Sequence, residues 1–195
     1  MRTLACLSGL IALFSGLLPG CRFVNQSSFS IGDKVDSLNG VYVYYNGSVS
    51  HQAGRHLTKD GYNLGLKYQC VEFVKRYYFQ FYGHRMPNSY GNASDFFNPT
   101  LNDGELNKER GLVQFSNNSL EKPKVGDLLV FGATPMNKYG HVAIVAGVFN
   151  DELEIIQQNP GKFGSSRERI GLKLKSGKWQ LQSPRIRGWL RLPKN

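Results

Sequence analysis

In the sequence, one stretch with helical periodicity precedes a series of short apolar segments with strand periodicity. Apolar side chains recur at spacings of three and four between Cys70 and Tyr82, and Gly83 follows as a typical helix terminator. Glu72 and Arg76 have the spacing of an i, i+4 ion pair in its favourable orientation. The pattern predicts a helix over 70–82 with Cys70 at its N-terminus. The residues predicted to form its packed stripe are Val71, Val74, Tyr78 and Phe81.

The segments after residue 122 predict antiparallel strands, because several of the turns between them are too short for parallel crossovers. Earlier in the chain, Val41–Tyr45 is predicted as a strand and residues 46–66 as a surface loop. The predicted fold class is α+β, with the Cys70 helix packed on an antiparallel sheet. The later elements predicted are a short helix near Ser94–Asn98 and strands at Leu128–Phe131, His141–Phe149, Leu153–Asn159, Ile170–Leu174, Trp179–Leu181 and Ile186–Leu192.

The first 20 residues have the pattern of an export signal. Arg2 provides a short basic region, and Leu4–Leu18 is an apolar stretch too short for a comfortable membrane span. This stretch ends in Leu-Pro-Gly-Cys21, which resembles a bacterial lipobox, although proline is unusual in that motif. The alternative interpretation is an ordinary secretory signal that is cleaved nearby. We expect export and anchoring of lipidated Cys21 in the cell-envelope membrane, at the periplasm or outer surface. The predicted division is a lipoprotein signal peptide at 1–20, a tether at 21–37 and a folded domain at 38–195.

Three cysteines are present, and only Cys70 falls in the predicted folded domain. Cys6 lies inside the signal and Cys21 would carry lipid, so Cys70 has no disulfide partner in an oxidising compartment. It is either an inert buried thiol or a nucleophile. A helix N-terminus supplies partial positive charge and unpaired amide donors, which favour the thiolate. Its position therefore predicts an activated Cys70, with oxyanion donors at the Cys70 amide and the Gln69 side chain.

The net charge is +10, and its distribution is uneven. Residues 155–195 carry ten Lys or Arg and one acid, Glu168, a net charge of +9. This asymmetry favours an anionic partner such as cell-wall polymer or lipid headgroups, or else a solvated basic sheet face. An exported protein makes nucleic acid an unsuitable partner.

The histidine best placed to act as a general base is His141. It follows a glycine and opens an apolar strand, where a titratable side chain is either a satisfied core residue or part of a site. The next strand offers Glu154, Gln157 and Asn159 to orient its imidazole. Cys70 and His141 lack a third ligand at convincing spacing, so no metal or other cofactor is predicted. The other histidines, in polar surroundings, are His51, His56 and His84.

Four motifs stand out, and they are Lys67-Tyr68-Gln69-Cys70-Val71-Glu72-Phe73-Val74, Val125-Gly126-Asp127-Leu128, Gly140-His141-Val142-Ala143-Ile144-Val145 and Ile156-Gln157-Gln158-Asn159. Together they resemble the CHAP family of cysteine, histidine-dependent amidohydrolases/peptidases. The tyrosine-rich run at 41–47 and Gly188-Trp189 also resemble the amidase domain of bifunctional glutathionylspermidine synthetase/amidases. The resemblance covers roughly residues 38–192 and implies a papain-like fold of NlpC/P60 type, with amide hydrolysis through a thioester.

The resemblance implies Cys70 as nucleophile and His141 as base. Gln157 stands where the family usually has glutamate, which puts full activity in doubt, and Asn159 matches the family's asparagine and is expected to share the orienting role. The expected substrate is a peptide amide of peptidoglycan. A peptide–polyamine conjugate, a non-catalytic wall-binding lipoprotein and an acyltransferase stay open as alternatives. We expect a monomer.

Overall fold

The computed structural model describes residues 29–161 and 164–194. The predicted signal peptide, Cys21 and the first part of the tether lie outside the described residues. Within them, no helix is both long and apolar enough to cross a membrane.

The strands form one large antiparallel sheet and two separate two-stranded sheets. The large sheet has the order β11-β10-β9-β8-β7-β12-β6-β5, and the small sheets pair β1 with β2 and β3 with β4. The strands are β1 (Lys34–Leu38), β2 (Val41–Tyr44), β3 (Arg55–Leu57), β4 (Asn63–Leu66), β5 (Leu106–Asn107), β6 (Leu112–Ser116), β7 (Leu128–Phe131), β8 (His141–Val148), β9 (Glu152–Ile156), β10 (Arg167–Lys175), β11 (Lys178–Leu181) and β12 (Ile186–Arg191).

The predicted meander is present as β7 to β11, while β12 returns to lie between β7 and β6. Two parts of the sequence prediction differ from the structure. The predicted surface loop 46–66 contains the β3–β4 hairpin, and β1 lies partly within the range 21–37 predicted as tether. The short strands β5 and β6 were not predicted. The architecture is consequently richer in sheet than the predicted α+β layer pair, although it is compatible with a papain-like fold.

The helix α1 (Cys70–Tyr82) has the predicted bounds, and Gly83 ends it in the left-handed conformation with φ of 66°. Its buried apolar face differs in part from the predicted stripe. Phe73 and Tyr77 are buried, whereas Phe81 is 46% exposed and packs its ring on Tyr77 near the helix end. A short 3₁₀ helix covers Ala93–Phe96.

The large sheet buries apolar side chains on both faces. Along β7, Leu128 and Val130 join the cluster beneath α1, while Leu129 and Phe131 join a second cluster. The buried members of that second cluster come from strands of the same sheet, so the sheet must curve over them. Each fully buried large apolar side chain contributes about 1.5–3 kcal/mol, which fixes β7 and β8 as a rigid platform under α1.

Candidate active site

A cavity of about 560 Å³ opens where α1 and β8 both begin. Cys70 and His141 line it from these two elements, and Arg55 on β3, Tyr90 and Asn159 complete parts of its wall. The structure thus brings the predicted nucleophile and the predicted base to one cavity. The two residues are 71 positions apart in sequence, and the packing of α1 on β8 unites them.

The sulfur of Cys70 lies among backbone amides. Burial raises the pKa of this thiol, and the N–H groups of Val142 and Val71 offset only part of that effect. Val142 directly follows His141, so the sulfur lies beside the first residues of β8. Burial thus works against the partial positive charge of the helix N-terminus, which favours the thiolate. A base that removes the thiol proton would overcome this opposition. Cys70 is the free cysteine among the described residues.

His141 is buried at the first position of β8 and is held by Gln157. Nε2 of His141 lies 2.8 Å from Oε1 of Gln157. The amide nitrogen of Gln157 donates to the Ser165 carbonyl at 3.1 Å and to Oε2 of Glu168 at 3.3 Å. Since both of these partners are acceptors, the amide oxygen must face His141. The imidazole therefore carries its proton on Nε2, and Nδ1 is the nitrogen that can accept a proton.

The imidazole is uncharged at neutral pH. Burial lowers the pKa of His141 to about 4; the hydrogen bond that the ring donates to Gln157 acts in the opposite direction, and the positive charge of Arg185 lowers the pKa further. A neutral ring and a thiol therefore face one cavity, where the ring is able to accept a proton. Such a pair suits general-base catalysis.

Gly140 allows His141 to enter β8 at this place. Its φ is +71°, and a Cβ there would lie 2.6 Å from the Phe131 carbonyl oxygen and 3.1 Å from the Ser94 nitrogen. Any larger residue would push the start of β8 away from β7. The presence of glycine directly before His141 in the sequence thus has a steric explanation.

Gln69 and Asn159 anchor a loop and do not contact the imidazole. Nδ2 of Asn159 donates to Oε1 of Gln69 at 2.7 Å and to the Val49 carbonyl at 3.0 Å. Nε2 of Gln69 donates to the carbonyls of His51 at 2.7 Å and Val49 at 3.2 Å. Both amide hydrogens of Gln69 are thereby engaged with the backbone. The structure thus gives Gln69 no free donor for an oxyanion and places Asn159 on Gln69 instead of on His141.

Backbone N–H groups at the start of α1 lie close to the sulfur of Cys70. The first N–H groups of a helix have no intrahelical acceptor, and those of Cys70 and Val71 point toward the region of the sulfur. A carbonyl oxygen on a carbon attacked by that sulfur would lie within their reach. These amides can stabilise a tetrahedral intermediate.

A buried network behind the site was not predicted. The carboxylate of Glu72 accepts hydrogen bonds from Arg76 at 2.6 Å, His56 at 2.7 Å and Gln158 at 2.8 Å. Nε2 of Gln158 also donates to the Gln69 carbonyl at 3.0 Å. The network fixes the start of α1 against the segment after β9. Three consecutive amide residues at 157–159 were the available sequence signal.

A second cavity of about 770 Å³ lies on the other side of Val49 and Asn159. Tyr44, Tyr45 and Gln157 also line it. Among the residues that the structure describes, neither cavity is lined by a carboxylate, and Arg55 is the one Lys or Arg on the wall of the first. The described part of the chain holds no group of three or more His, Cys, Asp or Glu that could bind a metal ion.

The excess of positive charge at 155–195 is partly neutralised within the fold. Nε of Arg167 pairs with Asp36 at 3.0 Å, and Arg191 pairs with Asp127 at 2.8 Å. These acids come from elsewhere in the chain, so the field of this segment is weaker than its residue count suggests.

Two comparisons with known proteins agree with this arrangement. The family model of the CHAP domain matches residues 59–159, which include Cys70, His141 and Gln157. Trypanothione synthetase of Crithidia fasciculata is 26% identical over 132 residues, which cover 66% of this chain and 20% of that protein. The chain therefore spans about a fifth of the length of this relative.

Proposed function

This chain belongs to the CHAP-domain family, and on that premise we propose that it is a cysteine hydrolase cleaving a peptide amide of peptidoglycan. The observation that carries the proposal is the single cavity shared by Cys70 and His141, with the imidazole tautomer set by Gln157. Nucleophile, base and orienting group are the parts that thioester chemistry needs.

In the proposed reaction, Nδ1 of His141 takes the thiol proton while Sγ of Cys70 attacks the carbonyl carbon of the amide. The backbone N–H groups of Cys70 and Val71 bind the resulting oxyanion. His141 then protonates the leaving amine as the C–N bond breaks, leaving an acyl thioester. His141 next removes a proton from water, whose oxygen attacks the thioester and releases the acid and the thiol. At the end of the cycle Cys70 is again a thiol and Nδ1 of His141 again has a free lone pair, and no cofactor is required.

The lining of the two cavities supports a peptide substrate. Stem peptides of the wall carry carboxylates, and Arg55 offers a cation on the wall of the first cavity. Two contacts hold this guanidinium in place: Nη1 of Arg55 donates to Oδ1 of Asn63 at 3.2 Å, and the guanidinium lies over the Tyr90 ring. An amide substrate with a nearby carboxylate fits these groups.

The second candidate is an amidase for a peptide–polyamine conjugate, which the similarity to trypanothione synthetase favours. A polyamine carries several positive charges, and recognition of such a group usually employs carboxylates. The described residues lining the two cavities include none. Because a polyamine would meet no carboxylate among these residues, the wall peptide is the first candidate.

Digestion of purified sacculi tests the proposal. Wild type and Cys70→Ala are incubated with sacculi and, in parallel, with a glutathione–spermidine conjugate, and released fragments are identified by mass spectrometry. New amine and acid termini in wall peptides, absent with Cys70→Ala, are expected. Cleavage of the conjugate alone would favour the second candidate. Binding of sacculi without cleavage of either substrate would favour a wall-binding lipoprotein, and transfer of the acyl group to an amine would favour an acyltransferase.

We also propose that the protein is exported and held in the envelope membrane through lipid on Cys21. The signal pattern of residues 1–20 supports this location. Wild type is expected in the membrane fraction with a diacylglycerol-modified N-terminal cysteine. Cys21→Ala should be absent from that fraction; membrane association unchanged in the variant would contradict the anchor.

A further inference from the structure

We propose that Glu168 is a positioning residue for His141, acting through the amide of Gln157 and supplying a negative charge behind that neutral amide. This inference rests on the proposed function, because it assigns His141 the role of base. It concerns a residue on β10, outside the motifs that identify the site from sequence.

The geometry forms a continuous chain of three groups. Oε1 of Gln157 lies 2.8 Å from Nε2 of His141, and Nε2 of Gln157 lies 3.3 Å from Oε2 of Glu168. Gln157 is 2% exposed and has no freedom to turn, because its second amide hydrogen is bound by the Ser165 carbonyl. The Glu168 carboxylate therefore acts on the His141 imidazole through the Gln157 side-chain amide, whose orientation is fixed.

The carboxylate does two things that the amide alone cannot. It holds the amide nitrogen, so that the amide oxygen is presented to His141 and the tautomer with a free Nδ1 is selected. It also polarises the amide, because hydrogen bonds in a chain strengthen one another in a medium of low dielectric constant. Both effects favour the imidazolium that forms when Cys70 loses its proton.

Several charged or titratable groups surround the hydrogen-bonded series formed by His141, Gln157 and Glu168. Cys70 faces the same cavity as His141, and Arg185 contributes an opposing positive charge. Beside Glu168 on β10 stand Arg167 and Arg169. These arginines form ion pairs with Asp36, Glu152 and Glu154.

The register of the sheet places Glu168 for this contact. It lies opposite Ile155 of β9, two residues before Gln157. Glu168 is exposed, and solvent screening therefore moderates its effect on the ring. A moderate effect distinguishes a positioning residue from the base itself.

Two variants separate charge from shape. Glu168→Gln keeps an amide oxygen that can accept from Gln157 but removes the charge. The double variant Gln157→Glu, Glu168→Gln moves the charge next to His141 and restores one donor and one acceptor in the pair. Glu152→Gln, which lies in the same sheet and pairs with Arg169, is the matched control.

Nuclear magnetic resonance of the labelled His141 ring gives a readout that needs no substrate. Glu168→Gln should lower the imidazole pKa and move the Nε2–H resonance upfield at neutral pH, and the double variant should reverse both changes. The kcat/KM for the amide identified by digestion should fall about threefold to tenfold in Glu168→Gln and recover in the double variant. Glu152→Gln should match wild type in every measurement.

The inference would be overturned if Glu168→Gln left the ring resonances and kcat/KM unchanged while circular dichroism showed an intact fold. Failure of the proposed function is a separate result. In that case wild type cleaves no amide, while the resonances of His141 still report whether Glu168 acts on the ring.

Discussion

His141 and Gln157 form a hydrogen bond of 2.8 Å whose polarity is fixed by what lies behind the amide. Because Gln157 donates its two amide hydrogens to Ser165 and Glu168, only its oxygen can face the ring. The ring must donate from Nε2 and retain a lone pair on Nδ1. Gln157 thus fixes the tautomer of the ring, although it lacks the full charge that a carboxylate would bring to an imidazolium.

The first prediction compares His141 and Gln157. His141→Ala should lower kcat at least about a hundredfold, because it removes the general base. Gln157→Ala should lower it about tenfold, the worth of one hydrogen bond that sets tautomer and ring orientation. Steady-state kinetics on the identified amide measure both. A larger loss in Gln157→Ala than in His141→Ala would show that base and orienting group are misassigned.

The second prediction concerns activity at acid pH. Burial lowers the pKa of His141 to about 4, and the base works only when it is unprotonated. Activity limited by His141 therefore persists as the pH falls through 6 and is lost as the pH falls through about 4. The acid limb of the pH profile of kcat/KM measures this loss of activity. Near-ultraviolet circular dichroism over the same range reports any unfolding. A limb near pH 6.5 in a folded protein would contradict a buried base.

The third prediction concerns the thiol. Burial raises the pKa of Cys70, so alkylation by iodoacetamide should keep accelerating as the pH rises through 8 and 9. Mass spectrometry of the Cys70 peptide measures the rate, and Cys70→Ser provides the blank. A rate that is already constant below pH 7 would mean a preformed thiolate, as the position at a helix N-terminus alone would suggest.

The fourth prediction concerns the buried carboxylate of Glu72. Burial opposes its ionisation, but the hydrogen bond from His56, the charge and hydrogen bond of Arg76 and the hydrogen bond from Gln158 prevail and lower its pKa. Glu72→Gln leaves Arg76 buried without its anion and should reduce the free energy of unfolding by about 3 kcal/mol at pH 7. Urea denaturation measures the loss.

The pH dependence of this loss follows from the lowered pKa of Glu72. Its contribution is complete above the unfolded value near 4.5 and disappears as the pH falls through the lower folded value. The difference between wild type and Glu72→Gln should therefore shrink on acidification. Exposed Glu105→Gln is the control and should change stability by less than about 0.5 kcal/mol at pH 7. Equal stability of wild type and Glu72→Gln at pH 7 would refute a structural role for the network.

Much of the fold could be predicted because its elements carry strong local signals. The helix at 70–82 and the strands β7 to β12 have clear periodicity and sharp turns. The β3–β4 hairpin has strands of only three and four residues with an irregular register at His56–Leu57, so no period emerges from its sequence. Short strands of this kind are held by their neighbours more than by their own composition.

The site was harder to predict because its electrostatics depend on burial. The sequence pointed to Cys70 and His141, and the position at a helix terminus suggested an ionised sulfur. The burial of Cys70, which raises the pKa of its thiol, arises only when α1 packs on β8. The amides of Gln69 and Asn159 have suitable chemistry for the predicted roles. Their partners are loop carbonyls brought near by tertiary structure.

Mass spectrometry of an acid-quenched reaction is the most direct test of whether Cys70 attacks an amide while His141 takes its proton. The substrate is the amide identified by digestion, and the protein is the full chain. We predict an added mass equal to the acyl part, located on the peptide that contains Cys70, with neither adduct nor cleavage in Cys70→Ala. Cleavage by Cys70→Ala at the wild-type rate, or an acyl adduct on another residue, would contradict this prediction.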